Sequence, residues 1–211
     1  LLASLGRTWR VTELSHKPYP SGRATHGIVD GCLRLRREHG FAASEIERIE
    51  AAVPPLIHHL VGRPFEDGMT TNYARLCAMY VTAHALYRDG IGVDAYDDGA
   101  LTDAGTAALA RRIQITIDDN PDPNALAPVA VTIILKSGAR HAMTVKDVYG
   151  SPANPMSHAA HLEKFRNNCA AAPRPLAPGN IDALIDMVEN LEALDDVTKL
   201  VDLMMPDQGR V

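Results

Sequence analysis

The chain has 211 residues, of which 46% are hydrophobic and 22% are charged, and its formal net charge is −5 at pH 7. These proportions are typical of a globular protein and exclude disordered, collagen-like and coiled-coil chains. The acidic balance argues against nucleic acid or an anionic membrane as a main partner. No apolar run approaches the roughly 18 residues that are needed to span a bilayer.

The cysteines and histidines give little sign of a metal site or a disulfide framework. Cys32, Cys77 and Cys169 are an odd number, lie far apart and lack C-x-x-C spacing, which favours a reducing, cytoplasmic compartment. His158 and His161 share one face of a predicted helix, but no third ligand is clearly placed beside them. We therefore expect neither a metal nor another cofactor.

Helical patterns dominate the first half of the chain. Lys17-Pro18-Tyr19-Pro20 cannot be helix interior and predicts an extended bend, with Ser21 as the N-cap of the helix that follows. Apolar residues at four-residue spacing between Ala24 and His39 predict an amphipathic helix of roughly five turns that ends at Gly40.

Two more helices are predicted before residue 113. Tyr73, Tyr80, His84 and Tyr87 share a stripe that predicts one continuous helix up to Asp89-Gly90. Thr102-Asp103 is a capping signal for a shorter, alanine-rich helix that runs through residue 112.

The hydrophobic period is two instead of 3.6 in four segments of the chain. Apolar and polar residues alternate in the strands predicted at 48–53, 113–117, 129–135 and 139–146. Ser137-Gly138 predicts a tight turn that joins the last two strands as a hairpin. The segment from about 17 to 150 is thus expected to be α+β, with helices packed on an antiparallel sheet of roughly four strands.

The proline-rich break at 150–155 is followed only by helical patterns. These helices have too little sheet-facing surface for the α+β unit, so we expect them to belong to an all-helical domain whose other helices lie elsewhere. The chain also begins without Met, and its first residues are typical of a helix already under way. We therefore expect a piece of a longer protein.

Several polar groups converge in the segment KPYPSGRATH, residues 17–26. The bend delivers Lys17 to a helix start, whose free N–H groups and dipole favour anions. Ser21 adds a hydroxyl, Arg23 a possible carboxylate clamp and His26 a titratable group. The segment predicts a polycarboxylate site, and the alternative is that Lys17 and Arg23 are solvated charges and His26 an ordinary helix residue.

Four segments together resemble one protein family. They are KPYPSGRATHGIVD from residue 17, ARLCAMYVTAHALYRDGIGVDAY from 74, IQITIDDN from 113 and YGSPANPMSHAAHLEKF from 149. In order and spacing they are similar to the C-terminal half of the MmgE/PrpD family, which includes 2-methylcitrate dehydratase, cis-aconitate decarboxylase and iminodisuccinate epimerase. The resemblance runs from Leu5 to about Pro206.

The resemblance implies a domain plan. Residues 1–14 would end a segment of the helical domain, and 15–152 would form an α+β lid with a chorismate-mutase-like arrangement of helices over the sheet. Residues 153–211 would be return helices of the helical domain. Partners implied are an N-terminal helical half or subunit and a second copy in a homodimer.

The resemblance also implies roles for single residues. Lys17 matches the lysine of a K-x-x-P element that binds a substrate carboxylate or moves a proton. Tyr80 matches a tyrosine that donates a hydrogen bond to substrate, while Ser21, Arg23 and the helix terminus would fix carboxylates. Two positions depart from the family: Cys77 stands where members carry serine, and Gly22 where some decarboxylases carry histidine.

The implied function is that of a lyase. We expect the C-terminal part of a cofactor-free dehydratase for 2-methylcitrate-like polycarboxylates in propionate metabolism, with decarboxylation or epimerisation as further possibilities. This part is expected to be inactive without the N-terminal half. The alternatives are a non-catalytic ligand-binding or oligomerisation subunit that pairs with a separate helical chain, and a self-contained chorismate-mutase-like enzyme.

Overall fold

A computed structural model describes residues 4–205, and predictions for 1–3 and 206–211 lie outside the described residues. The chain divides into two compact units, one that ends at Met156 and one that begins at Ser157. In the first unit the helices are α1 (His26–His39), α2 (Pro55–Val61), α3 (Thr71–Ala74), α4 (Ala78–Arg88), α5 (Asp98–Leu101) and α6 (Ala104–Ala110). The strands are β1 (Ile46–Val53), β2 (Ile113–Ile117), β3 (Val129–Leu135) and β4 (Arg140–Val145).

The four strands form one sheet in the order β2-β1-β3-β4, which confirms the predicted α+β class. β1 pairs antiparallel with β3, and β3 pairs antiparallel with β4 in the predicted hairpin. β2, however, pairs parallel with β1, so the expectation of a purely antiparallel sheet is corrected at this pair. The reason is the long connection through α2 to α6, because a crossover of this kind returns the chain to the same end of the sheet.

Helix α1 packs unusually close to the sheet. A Cβ atom at Gly27 would lie 2.9 Å from Val129 Cγ2, and one at Gly31 would lie 2.7 Å from Val131 Cγ2. Distances below about 3 Å are repulsive between carbon atoms, so only glycine fits at these two positions. The missing side chains therefore set how deeply α1 lies on β3.

Helix α1 packs against apolar residues on two sides. On the sheet side, Ile28, Cys32 and Leu35 of α1 join a cluster with the inward residues of β1, β2 and β3. On the outer side, Val29 and Leu33 pack in a second cluster that also contains Tyr19, Cys77, Tyr80, Val81 and Tyr96. Since apolar neighbours cover it from two sides, the first half of α1 is buried all round.

Two predicted helices differ in detail from the structure. The chain forms a 3-10 turn at Arg23–Thr25 before α1 begins at His26, so Thr25, and not Ser21, occupies the N-cap position. The predicted helix through Tyr73 and Tyr80 is broken into α3 and α4, because Cys77 leaves the helix to form a β-bridge with Gly62. The predicted cap of α6 is confirmed, since the Asp103 carboxylate accepts from Thr106 N at 2.8 Å.

The second unit contains α7 (His158–Ala170), α8 (Pro178–Glu189) and α9 (Lys199–Met204). Ser157 caps α7 as predicted, by accepting from Ala160 N at 3.2 Å. Only Ile181 and Leu184 are buried among its described hydrophobic residues. No helix in residues 4–205 is both long and apolar enough to cross a membrane.

Gly31→Ala should destabilise the first unit, because the new methyl group would press on Val131 and on Val145 Cγ2, 3.1 Å from it. Overpacking of this kind costs roughly 1–3 kcal/mol, which outweighs the gain in helix propensity. Gly99→Ala is the matched control, since Gly99 lies in α5 and has nothing within 4 Å of its Cβ position. We expect a lower midpoint in thermal unfolding for the first variant alone; equal midpoints would contradict the close packing.

Candidate active site

The bend that carries Lys17 is fastened to the loop after β4. His16 N donates to the Gly150 carbonyl at 2.7 Å, and Gly150 N in turn donates to the Asn154 carbonyl at 2.8 Å. Gly150 has φ +88°, and a Cβ there would collide with the His16 carbonyl and lie 3.1 Å from Pro18 Cδ. The K-P-Y-P and G-S-P-A-N-P segments are therefore one packed structure, although they lie far apart in the sequence.

The end of the bend is fastened a second time, to the junction between α3 and α4. Gly22 N donates to the Arg75 carbonyl at 2.8 Å. Ser21 is buried, and its hydroxyl lies 2.8 Å from that of Thr25, which itself donates to the Gly22 carbonyl at 2.9 Å. Ser21 thus stabilises the approach to α1, and its predicted contact with substrate stays a prediction.

His26 is the first residue of α1 and is fully buried. Neither ring nitrogen meets hydrogen-bond geometry with a partner in residues 4–205, although the ring packs edge-on against Tyr19 with centroids 5.3 Å apart. Burial, and to a smaller extent the positive charges of Arg23 and Lys17, lower the pKa of His26 to about 3, and the nearby backbone of Ser21 and Tyr19 opposes this only in part. The imidazole is therefore neutral at physiological pH.

Lys17 and Arg23 are close enough to His26 for both charges to act on its pKa, so the structure brings together three of the five predicted residues. Lys17 is exposed and Arg23 is half-buried. Neither has an ion pair within 4 Å in the described part of the chain, and burial lowers the pKa of the Arg23 guanidinium. Two cations without a carboxylate partner, beside a helix start, form an anion-binding arrangement.

Tyr80 lies elsewhere, in the outer core cluster. It is 1% exposed, and its hydroxyl donates to the Ala95 carbonyl at 2.5 Å. Burial raises the pKa of Tyr80 to about 12, with a smaller contribution from Asp103. Its one hydroxyl proton is therefore engaged within the core, and its predicted catalytic role stays a prediction.

Several residues that shape the site had no role in the sequence prediction. Tyr19 covers His26, Gly150 holds the bend, and Arg75 supplies the carbonyl that holds Gly22. The available signal for Gly150 was its place in a G-S-P-A-N-P break, which predicts a turn but not the partner of the turn. No group of three or more His, Cys, Asp or Glu residues that could hold a metal occurs within 4–205.

Comparison with known proteins identifies the family. The family model described as MmgE/PrpD C-terminal domain matches residues 19–199. The chain belongs to the MmgE/PrpD family. Among curated proteins, the cis-aconitate decarboxylase of Homo sapiens is 27% identical to it over 199 residues, which are 91% of this chain and 40% of that protein. This MmgE/PrpD chain therefore spans less than half the length of that relative.

Gly150→Ala should destabilise this MmgE/PrpD domain strongly. The new methyl group would strain the backbone at φ +88° and also meet the His16 carbonyl. Gly138→Ala is the matched control, because Gly138 has the same φ of +88° but nothing within 4 Å. Backbone strain alone costs roughly 1–2 kcal/mol, so we expect about that loss for Gly138→Ala and a clearly larger one for Gly150→Ala in denaturant unfolding. Equal losses would contradict the fastening of the bend.

His26 should make stability fall with acid. The folded pKa of about 3 lies below the ordinary 6.5, so the unfolded chain takes up the proton first as the pH falls. The stabilising effect is complete above about pH 6.5 and is lost toward pH 3, which amounts to about 2 kcal/mol between pH 7 and pH 5. His26→Leu should remove this slope in urea unfolding, whereas His59→Leu, at an exposed position, should keep it. An unchanged slope in His26→Leu would show that the imidazole titrates normally.

Proposed function

We propose that this chain provides the carboxylate-binding wall of a lyase that acts on a small polycarboxylate. The observation that carries the proposal is the grouping of Lys17 and Arg23 around neutral His26 at the start of α1. Membership of the MmgE/PrpD family and similarity to a decarboxylase support the reaction class. The proposed substrate, a 2-methylcitrate-like polycarboxylate of propionate metabolism, is inferred from the family resemblance.

The proposed chemistry is acid–base catalysis next to a carboxylate, without a cofactor. When a proton leaves a carbon beside a carboxylate, or when CO₂ leaves it, negative charge spreads onto the remaining carboxyl oxygens. Lys17 and Arg23 would stabilise this charge more strongly in the transition state than in the bound substrate, which is what accelerates the reaction. The group that removes the proton from carbon would come from the part of the enzyme that precedes this chain.

A bound carboxylate would also change His26. It would neutralise the charges of Arg23 and Lys17, two of the causes that lower the pKa of His26. The pKa would then rise in part, since burial is the largest cause of its lowering and would remain. The imidazole would thereby become a better proton acceptor than it is without the carboxylate.

Dehydration and decarboxylation place different demands on the site. The sequence favours a dehydratase, whereas the similar human protein is a decarboxylase. Both reactions need held carboxylates, so both agree with Lys17 and Arg23. Gly22 has no side chain to supply the histidine that the resemblance associates with some decarboxylases, and this favours dehydration.

One observation favours a second candidate, a non-catalytic subunit that pairs with a separate helical chain. The unit from Ser157 onward leaves many apolar side chains exposed, namely Val188, Leu191, Val197, Val201, Met204 and Met205. Exposed apolar side chains in this number within one short segment favour a surface that another part of a protein covers. An N-terminal helical half and a homodimeric second copy are the proposed partners.

The proposal can be tested by titrating the 211-residue chain with tricarballylate, a tricarboxylate without a hydroxyl group. We expect saturable binding by calorimetry that weakens about tenfold in Lys17→Gln and in Arg23→Gln, since each removes a charged partner of a carboxylate. Lys136→Gln, which removes an exposed charge in the β3–β4 turn, should leave the affinity unchanged.

The same preparations separate the two candidates. The isolated chain should bind but show no turnover of 2-methylcitrate or cis-aconitate, and any turnover would contradict the expectation that half of the site comes from elsewhere. Equal affinities for the wild type and for both site variants would contradict the carboxylate-binding role and leave the subunit candidate.

A further inference from the structure

A second polar cleft lies beside α1 and the end of β4, with a volume of about 670 Å³. Three basic side chains, Arg34, Arg37 and Lys146, line it together with two acidic ones, Asp30 and Asp147. Lys17, Ser21, Arg23 and His26 do not line it. The cleft therefore has a different lining from the proposed lyase site and adjoins it at Tyr19, which lines the cleft and packs edge-on against His26.

The basic groups of the cleft make few close ion pairs. Neither Arg37 nor Lys146 has an ion pair within 4 Å in residues 4–205, and Arg34 lies 3.9 Å from Asp30 Oδ2, at the far limit of an ion pair. Exposed cations are ordinary on a surface, but three that line one concave site attract anions more strongly than scattered ones do. The cleft thus has capacity for two carboxylates.

Asp30 gives the cleft a second kind of recognition. It is only 5% exposed, and its Oδ2 has no hydrogen-bond partner in the described chain. Burial raises the pKa of this carboxyl, while Arg34, the Tyr149 backbone and Arg37 oppose the rise. A buried carboxylate that is short of hydrogen-bond donors is costly, and Asp30 also lines the cleft, so an N–H or O–H group of a ligand that reaches this carboxylate would be stabilised.

We propose that this cleft binds a small dicarboxylate that also carries an ammonium or hydroxyl donor. The two carboxylates pair with the basic residues, with Arg37 and Lys146 as the main partners, and the donor group meets the Asp30 carboxylate where it lines the cleft. The lining carries a net charge of +1, three basic groups against two acidic ones. This charge matches an amino dicarboxylate with net charge −1, while a hydroxy dicarboxylate supplies the same donor with one more negative charge.

Three ligands with the same four-carbon dicarboxylate skeleton test the proposal: L-aspartate with an ammonium group, L-malate with a hydroxyl group and succinate with neither. Calorimetry on the 211-residue chain should show saturable binding of aspartate or malate, with succinate about tenfold weaker than the better of the two. Arg37→Gln should weaken the binding of all three about tenfold. Asp30→Asn should abolish the advantage over succinate.

Two controls make the outcome specific. Arg36→Gln changes the neighbouring arginine, which pairs with Asp89 at 3.3 Å and does not line the cleft, so affinities should be unchanged. Lys136→Gln removes an exposed charge that does not line the cleft, so it should also leave them unchanged. Arg37 is exposed, and circular dichroism of its variant should show the wild-type fold.

The proposal is overturned by any of three results. Absence of saturable binding of aspartate and malate at millimolar concentrations excludes the site. Equal affinity of the wild type for malate, aspartate and succinate excludes the role of Asp30 whether or not the Asp30→Asn variant folds. Unchanged affinity in Arg37→Gln places the binding elsewhere in the chain.

Discussion

The close approach of α1 to the sheet is the constraint on which the other features depend. Gly27 and Gly31 let the helix lie against Val129 and Val131. This close packing fixes the position of the residues that α1 carries. The start of the helix carries His26 inside the protein, where its pKa falls, and the next two turns hold Asp30 and Arg34 at the edge of β4. A helix held one methyl group farther from the sheet would leave gaps in the core.

The local charge beside α1 differs in sign from the net charge of the whole chain. The chain carries a net charge of −5, yet two regions beside α1 concentrate basic groups with few acidic partners. The lowered pKa of His26 reflects mainly the burial of its imidazole, and the charges of Arg23 and Lys17 add to this effect. An overall acidic balance therefore excludes polyanions as partners more reliably than it excludes small carboxylates.

The local sequence pattern predicted the four strands and most of α1, because alternation and four-residue spacing of apolar residues depend directly on which side chains are buried. It could not give the parallel pairing of β1 with β2, since a strand's own residues do not specify its neighbour. Tyr80 lies in the outer core cluster with its hydroxyl hydrogen-bonded to the Ala95 carbonyl, and its catalytic role stays a prediction. Lys17, Arg23 and His26 were found together because they are neighbours in sequence, whereas the cleft joins α1 to β4 and has no local signature.

The contact between Gly150 and the His16 carbonyl has a consequence for how such a domain can change. A methyl group at position 150 is tolerated only if the bend before α1 moves, and a different bend fits only a different loop after β4. The two segments can therefore change only together. In a chimera that takes its K-P-Y-P segment from one homologue and its G-S-P-A-N-P segment from another, the two backbones would have to fit each other at this one contact.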